Sequence, residues 1–277
     1  MLKSYVLVVS VLVAALTLVA QPAGSQDAAK KVPQQNVGGV ADAKDGGADA
    51  KDGGAITGVV LFKGDKPEPR PLSEIAGNAF CKECHKDKIP DRDNIVFGKN
   101  GDNDTLQNVL VYVSKGLEDK SFDPPQKPVV LDQVGCLYTP HVVAVMVGQT
   151  LEVRNSDATL HNVMSAPRNN PPFNFGMPVK GGKNNLVFKQ PELKMTTKCF
   201  MHPWMTAYVH VLEHPFFAVT GEDGTFKIEG LPPGEYEITV LHEASLMEAS
   251  PATATVKVEA GQEQEVEFTY QVRAEEK

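Results

Sequence analysis

From Ala55 onward the chain runs in short β-branched and aromatic segments broken by Gly, Pro, Asn and Asp, and no long stretch keeps a helical period. Segments of that length and composition suit the strands of sandwiches and leave no room for long packed helices, so the expected fold class is all-β. Strand-like runs cover 56–64, 108–113, 141–147, 151–155, 185–188, 193–198 and 207–212, followed by 217–228 and 230–240. Gly148-Gln149-Thr150 reads as a hairpin-type connection, Asp223-Gly224 as a hairpin turn and Pro232-Pro233-Gly234 as a turn. Residues 169–182 read as a Pro- and Asn-rich loop, and 64–106 as Pro-, Asp- and Asn-rich chain without an amphipathic helix.

Neither end of the 277-residue chain reads as packed core. Residues 1–25 place Lys3 before the apolar run from Tyr5 to Ala20, the pattern of a secretory signal peptide whose core is short for a membrane span. An extracytoplasmic, most simply periplasmic, protein is expected, with membrane attachment only through an uncleaved signal segment. Residues 26–54 turn to Ala, Asp, Lys and Gly, and the heptapeptide at 41–47 recurs at 48–54; with almost nothing to bury, this is a tether. A net charge of −8 without a clustered basic face argues against a nucleic-acid partner.

Chemistry concentrates in Cys199-Phe200-Met201-His202-Pro203-Trp204-Met205, where a thiolate, an imidazole and a thioether follow one another at three-residue spacing after a strand-like run. A second imidazole, His161, lies 38 residues upstream in a loop that a facing strand could bring close. Two His, one Cys and a weak axial Met form the set that selects copper and tunes its one-electron potential.

The segment 129–212 resembles a cupredoxin, and its Cys-x-x-His-x-x-Met spacing is similar to the short-loop, amicyanin-like members. The resemblance implies that His161 and His202 give ring nitrogens, Cys199 the thiolate and Met205 the axial sulfur of one type 1 copper. It also implies that the backbone of Asn162 hydrogen-bonds the Cys199 sulfur, a contact that tunes the metal. A second Cys in the loop, needed for a two-copper variant, is missing between Phe200 and Trp204.

The flanking segments 55–128 and 213–272 resemble together a carboxypeptidase regulatory-like (transthyretin-like) sandwich. The motifs are the opening Gly58-Val59-Val60, Asp223-Gly224-Thr225-Phe226 and Leu231-Pro232-Pro233-Gly234-Glu235-Tyr236. The implied organisation is a discontinuous sandwich with the cupredoxin inserted and a tail at 273–277. No zinc-peptidase motif accompanies it, and His214 and His242 read as ordinary surface or half-buried residues.

Cys81-Lys82-Glu83-Cys84-His85 spells the c-type haem attachment pattern, which would make Cys81, Cys84 and His85 the haem-binding residues. Alternatively Cys136, in Gly135-Cys136-Leu137-Tyr138-Thr139-Pro140-His141, pairs with Cys81 or Cys84 as a disulfide, as an oxidising compartment permits. A third reading gathers Cys81, His85, Cys136 and His141 around a second metal. The whole chain from Ile56 resembles exported cupredoxin-like proteins with a Gly-Cys-x-Tyr-x-Pro-His segment, in which the first Cys and the His four residues on recur while Cys84 is an addition; this favours a Cys81–Cys136 disulfide over haem.

These readings converge on an electron carrier that exchanges single electrons with redox proteins, with His202 beside Pro203 and Trp204 as the expected exit. The alternatives are a copper-binding or delivery module, a surface interaction protein with a structural cupredoxin domain, and a carrier of both copper and haem. A multicopper enzyme would need His-x-His motifs, which the sequence lacks.

Overall fold

The computed structural model describes residues 53–92 and 95–273; the expectations for residues 1–52 and 274–277 lie outside them. The fold is all-β, with sheets of six, five, four and four strands among the described residues.

Two sheets enclose the Cys199 loop. One runs in the order Phe173–Met177, His161–Ser165, Glu192–Lys198, Thr206–Leu212, Val142–Met146, and the other Lys183–Val187, Thr150–Asn155, Val129–Val134, Leu137–Thr139. Alternation sets which face is buried: in Thr150–Asn155 every second residue, Leu151, Val153 and Asn155, points inward. Leu131, Val143, Val145, Leu151, Val153, Val209 and Val211 meet between the sheets. Each such side chain contributes about 1.5–3 kcal/mol by leaving water.

The remaining sheets draw on both halves of the chain. Gly54–Phe62 lies parallel to Glu263–Val272 and antiparallel to Thr225–Leu231, and Leu110–Lys115 sits between Phe217–Val219 and Gly234–Leu241. Their core includes Ile56, Val60, Val111, Ile228, Ile238 and Phe268.

Val142–Met146 is buried at all five positions because it serves two cores. Val143 and Val145 face the interior around the Cys199 loop, while Val142, Ala144 and Met146 meet Leu110, Phe217 and Val219. This is why the strand reads as an unbroken apolar run rather than an alternating one.

Several expectations change. Residues 169–182 are not wholly loop: Phe173–Met177 is an edge strand that follows Pro171-Pro172, a place where a missing N–H costs no ladder bond. Within 64–106 stand a 3₁₀ turn at Ser73–Gly77, a helix at Ala79–Cys84 and a hairpin of Phe97–Asn100 with Asn103–Leu106. At six residues the helix is too short to leave a periodic trace. Leu72, Ile75 and Cys81 enter the core around the Cys199 loop, so part of the segment read as 55–128 packs against residues of 129–212. His242, read as surface or half-buried, is buried. No helix of the described residues is long and apolar enough to cross a membrane.

His210, on the Thr206–Leu212 strand, is fully enclosed, and its Nδ1 accepts the Lys194 N–H at 3.2 Å. Burial, helped by the charge of Lys194, holds its pKa down at about 3 against an ordinary 6.5. Below pH 6.5 the unfolded chain therefore binds a proton that the folded chain refuses, and stability falls as the pH drops from 6.5 toward 3. Urea midpoints across that window should decline less steeply in His210→Gln than in the wild type; parallel slopes would show that another group carries the acid limb.

Candidate metal centre

His161 opens its strand and Cys199 directly follows the end of the neighbouring one, where Lys198 stands opposite Met164. The loop that follows is closed tightly: the Met205 N–H donates to the His202 carbonyl at 2.9 Å, and the Cys199 N–H to the Met205 carbonyl at 3.2 Å. The loop thereby turns His202 back toward Cys199. Nδ1 of His161 and Nδ1 of His202 are 3.0 Å apart, and Cys199 Sγ is 3.7 Å from the latter. Met205 is buried in the same cluster as Cys199.

The donor set fits a metal. Two nitrogens and a sulfur around a trigonal ion, at bonds of about 2.0 and 2.3 Å, stand about 3.5 Å (N···N) and 3.8 Å (N···S) apart. The N···S edge is in place, and the N···N edge needs to open by about half an ångström.

The surroundings hold these donors. Asn162 N–H donates to Cys199 Sγ at 3.4 Å, and its Oδ1 accepts the Phe200 N–H at 3.2 Å. Tyr138 Oη spans the strand that His161 opens and the one that leads to Cys199, 3.0 Å from the Asn162 carbonyl and 3.2 Å from that of Lys198. Burial, with the nearby Cys199, raises the Tyr138 pKa far above its usual value, so the phenol keeps the proton it donates.

Asp157 completes the arrangement. Its Oδ2 accepts from His161 Nε2 at 2.9 Å, which leaves the His161 Nδ1 lone pair facing His202 and Cys199. The same carboxylate accepts the N–H groups of Gly135 and Cys136 at 2.7 and 2.8 Å. Those two residues form the two-residue turn between Val129–Val134 and Leu137–Thr139, both with positive φ (63° and 58°), as the right-handed twist of a tight hairpin demands.

Cys136 in this turn is joined to Cys81 by a disulfide. That removes the haem reading: a sulfur engaged in a disulfide forms no thioether, Cys84 is exposed, and His85 Nε2 is hydrogen-bonded to the Gly135 carbonyl at 2.6 Å. It removes the second-metal reading too, because both thiolates are consumed and His141 turns away to Glu243, 3.4 Å from its carboxylate.

The segment carrying Cys81 lies over His202. Asn78 Nδ2 is 3.3 Å from His202 Nε2, Trp204 Nε1 donates to the Cys136 carbonyl at 3.0 Å, and the Trp204 ring is 5.2 Å from the imidazole. His202 is consequently 2 % exposed, which corrects its expected role as a surface exit; Phe200 in the same loop is 77 % exposed.

Sequence reasoning missed Asp157, Asn78 and the role of Tyr138. Asp157 carried a signal, four residues before His161, while Tyr138 sat inside the Gly-Cys-x-Tyr segment; Asn78 carried none beyond being a helix-capping residue type.

No protein-family model and no curated protein matches the chain. Among solved structures it is similar to the copper-containing nitrite reductase of Thermus scotoductus, at 24 % identity and TM-score 0.30, over 36 % of this chain and 25 % of that one. It is also similar to a purple cupredoxin from Nitrosopumilus maritimus, at 23 % identity and TM-score 0.26, over 31 % of this chain and 99 % of that one. Amicyanin from Paracoccus versutus gives 22 % identity and TM-score 0.28, over 36 % of this chain and 96 % of that one.

Burial raises the Cys199 pKa, but the neighbouring imidazoles of His161 and His202 and the N–H of Asn162 outweigh it and bring the pKa down to about 6 from 9.0. The metal-free protein should therefore show ultraviolet thiolate absorbance with a midpoint near pH 6, absent in Cys199→Ser; Cys84, whose pKa burial raises, contributes nothing there. A folded value below the unfolded one also means that this thiolate stabilises the fold fully above pH 9, an advantage lost as the pH falls to 6. A Cys199 midpoint above 8 would contradict the hydrogen-bonded geometry.

Proposed function

We propose that the protein is an exported type 1 copper protein that carries single electrons between redox proteins. The observation behind this reading is the convergence of one ring nitrogen each of His161 and His202 with Cys199 Sγ, all within 4.8 Å of one another and all three residues buried, with Met205 buried beside them. Bound there, copper supplies a one-electron Cu(I)/Cu(II) couple. The chain's own part is to hold both redox states in one geometry. Tyr138 ties the two ligand strands together, Asn162 directs an N–H at the thiolate, and Asp157 fixes the His161 tautomer. Once copper is bound, a site held in this way and shielded from water needs little rearrangement between charge states. Burial of all four donors also disfavours the delivery reading, since releasing copper would require the cover over His202 to open.

The discontinuous sandwich, 55–128 with 213–272, acts in this proposal as a scaffold into which 129–212 is inserted. The signal-like N-terminus and the Cys81–Cys136 disulfide both suit an oxidising extracytoplasmic compartment. With His202 covered, the partner approaches over Phe200 and Met201, the exposed apolar residues next to Cys199 in the chain.

Purified full-length chain titrated with copper should take up one equivalent and develop an intense visible thiolate-to-copper band. Cys199→Ser should lose that band; a variant that kept it would refute the assignment. Met205→Leu should retain copper with a shifted potential. Asp157→Asn should weaken copper binding by about 10- to 100-fold, the usual effect of removing the partner of a ligating imidazole. Unchanged affinity would remove Asp157 from the site.

A further inference from the structure

Asn78 makes two hydrogen bonds that together dictate where the proton of His202 sits. Its Oδ1 accepts the Cys81 N–H at 3.1 Å and so caps the helix Ala79–Cys84, which leaves the NH₂ group facing His202 Nε2 at 3.3 Å. An amide NH₂ only donates, so Nε2 accepts and the ring proton lies on Nδ1. There it has a matching acceptor. His161 gives its own proton to Asp157 from Nε2 and offers the Nδ1 lone pair, 3.0 Å from Nδ1 of His202. Donors and acceptors thus run in one direction from the Cys81 amide through Asn78, His202 and His161 to Asp157. Exchanging the Asn78 oxygen and nitrogen would set an NH₂ against the Cys81 N–H, so the cap fixes the assignment.

A metal needs lone pairs on both Nδ1 atoms. His161 already presents one; His202 does not. For the ring to stay neutral while Nδ1 binds, its proton must leave to solvent and one must be taken up at Nε2, where the Asn78 NH₂ opposes it. The amide can turn by half a rotation to accept from Nε2–H, but its oxygen then leaves the Cys81 N–H. We infer that Asn78 is a positioning residue for which the helix cap and the metal-bound form of His202 compete, so that copper loading uncaps the helix that covers the site. The inference rests on the copper reading above. Surrendering an Asn cap shifts an equilibrium by about 2- to 30-fold, and that factor should oppose copper binding and appear in the exchange of the uncapped amide.

The test is amide hydrogen exchange of the Cys81-containing peptide in the full chain, with and without one equivalent of Cu(II), for wild type, Asn78→Asp and Asn78→Ala. In the wild type, copper should speed exchange at Cys81 by about 2- to 30-fold. Asn78→Asp should show no such change, because a carboxylate accepts from the Cys81 N–H and from His202 Nε2–H at once. Asn78→Ala, which has no cap in either state, should exchange equally fast with and without copper. The Asp charge by itself tightens copper binding, so the exchange comparison decides. Equal wild-type exchange in the two states, or the same acceleration in Asn78→Asp, would overturn the coupling while leaving the copper reading intact. A wild-type chain that takes up no copper would overturn the copper reading and this proposal with it.

Discussion

A buried carboxylate organises the centre. Asp157 is 5 % exposed, and a charge withdrawn from water without partners would cost several kcal/mol. Its partners are one imidazole N–H and two backbone N–H groups, from His161, Gly135 and Cys136. Each recruits a different part of the chain. His161 is one of the clustered imidazoles, Gly135 and Cys136 form the hairpin turn that ends a sheet, and Cys136 carries the disulfide to the segment over His202. Removing this carboxylate would leave two turn amides and a ring N–H without acceptors in the interior, at about 1–3 kcal/mol each.

The disulfide binds regions that local contacts would not bring together. Cys81 and Cys136 are separated by 55 residues, and closing a loop of that size restricts the unfolded chain by about 4 kcal/mol on the chain-entropy account. The segment it anchors has little regular structure of its own, a 3₁₀ turn and a six-residue helix. Leu72 and Ile75 bury apolar surface against the sheets and complete the attachment. Two weak devices, a short helix and a small apolar footprint, thus become a stable cover because a covalent link removes most of the entropy that would lift it.

What could be read in the sequence followed the range of each interaction. The all-β class was legible because alternation and turn residues are local, as Leu151–Asn155 and Asp223-Gly224 show. The donors of the Cys199 loop were legible because loop spacing alone sets three of them on one rim. Phe173–Met177 was hidden because an edge strand between Pro171-Pro172 and Gly182 carries loop composition. The contacts of Asn78 with His202 and of Asp157 with Cys136 span 124 and 21 residues, and nothing in local composition encodes which distant group a capping Asn or a loop Asp will meet. The burial of His202 was hidden for the same reason: beside the Trp204 ring, its cover is a segment more than a hundred residues away.

A metal site usually has a choice between being preformed and being satisfied when empty. Here the two demands fall on different ligands. His161 is held by a carboxylate in the tautomer a metal requires, a stiff arrangement because the alternative would set an Nε2 lone pair against a buried charge. His202 is held by a neutral amide, a weaker partner that can turn; on the proposed reading the ring serves as donor to His161 in one state and as ligand in the other. The asymmetry lets the core close without leaving the ring nitrogens of either histidine unpaired, while requiring only one side chain to reorganise. A carboxylate on both histidines would preform the site more completely, but it would add a second buried charge next to the Cys199 thiolate, whose own charge already depends on every donor around it.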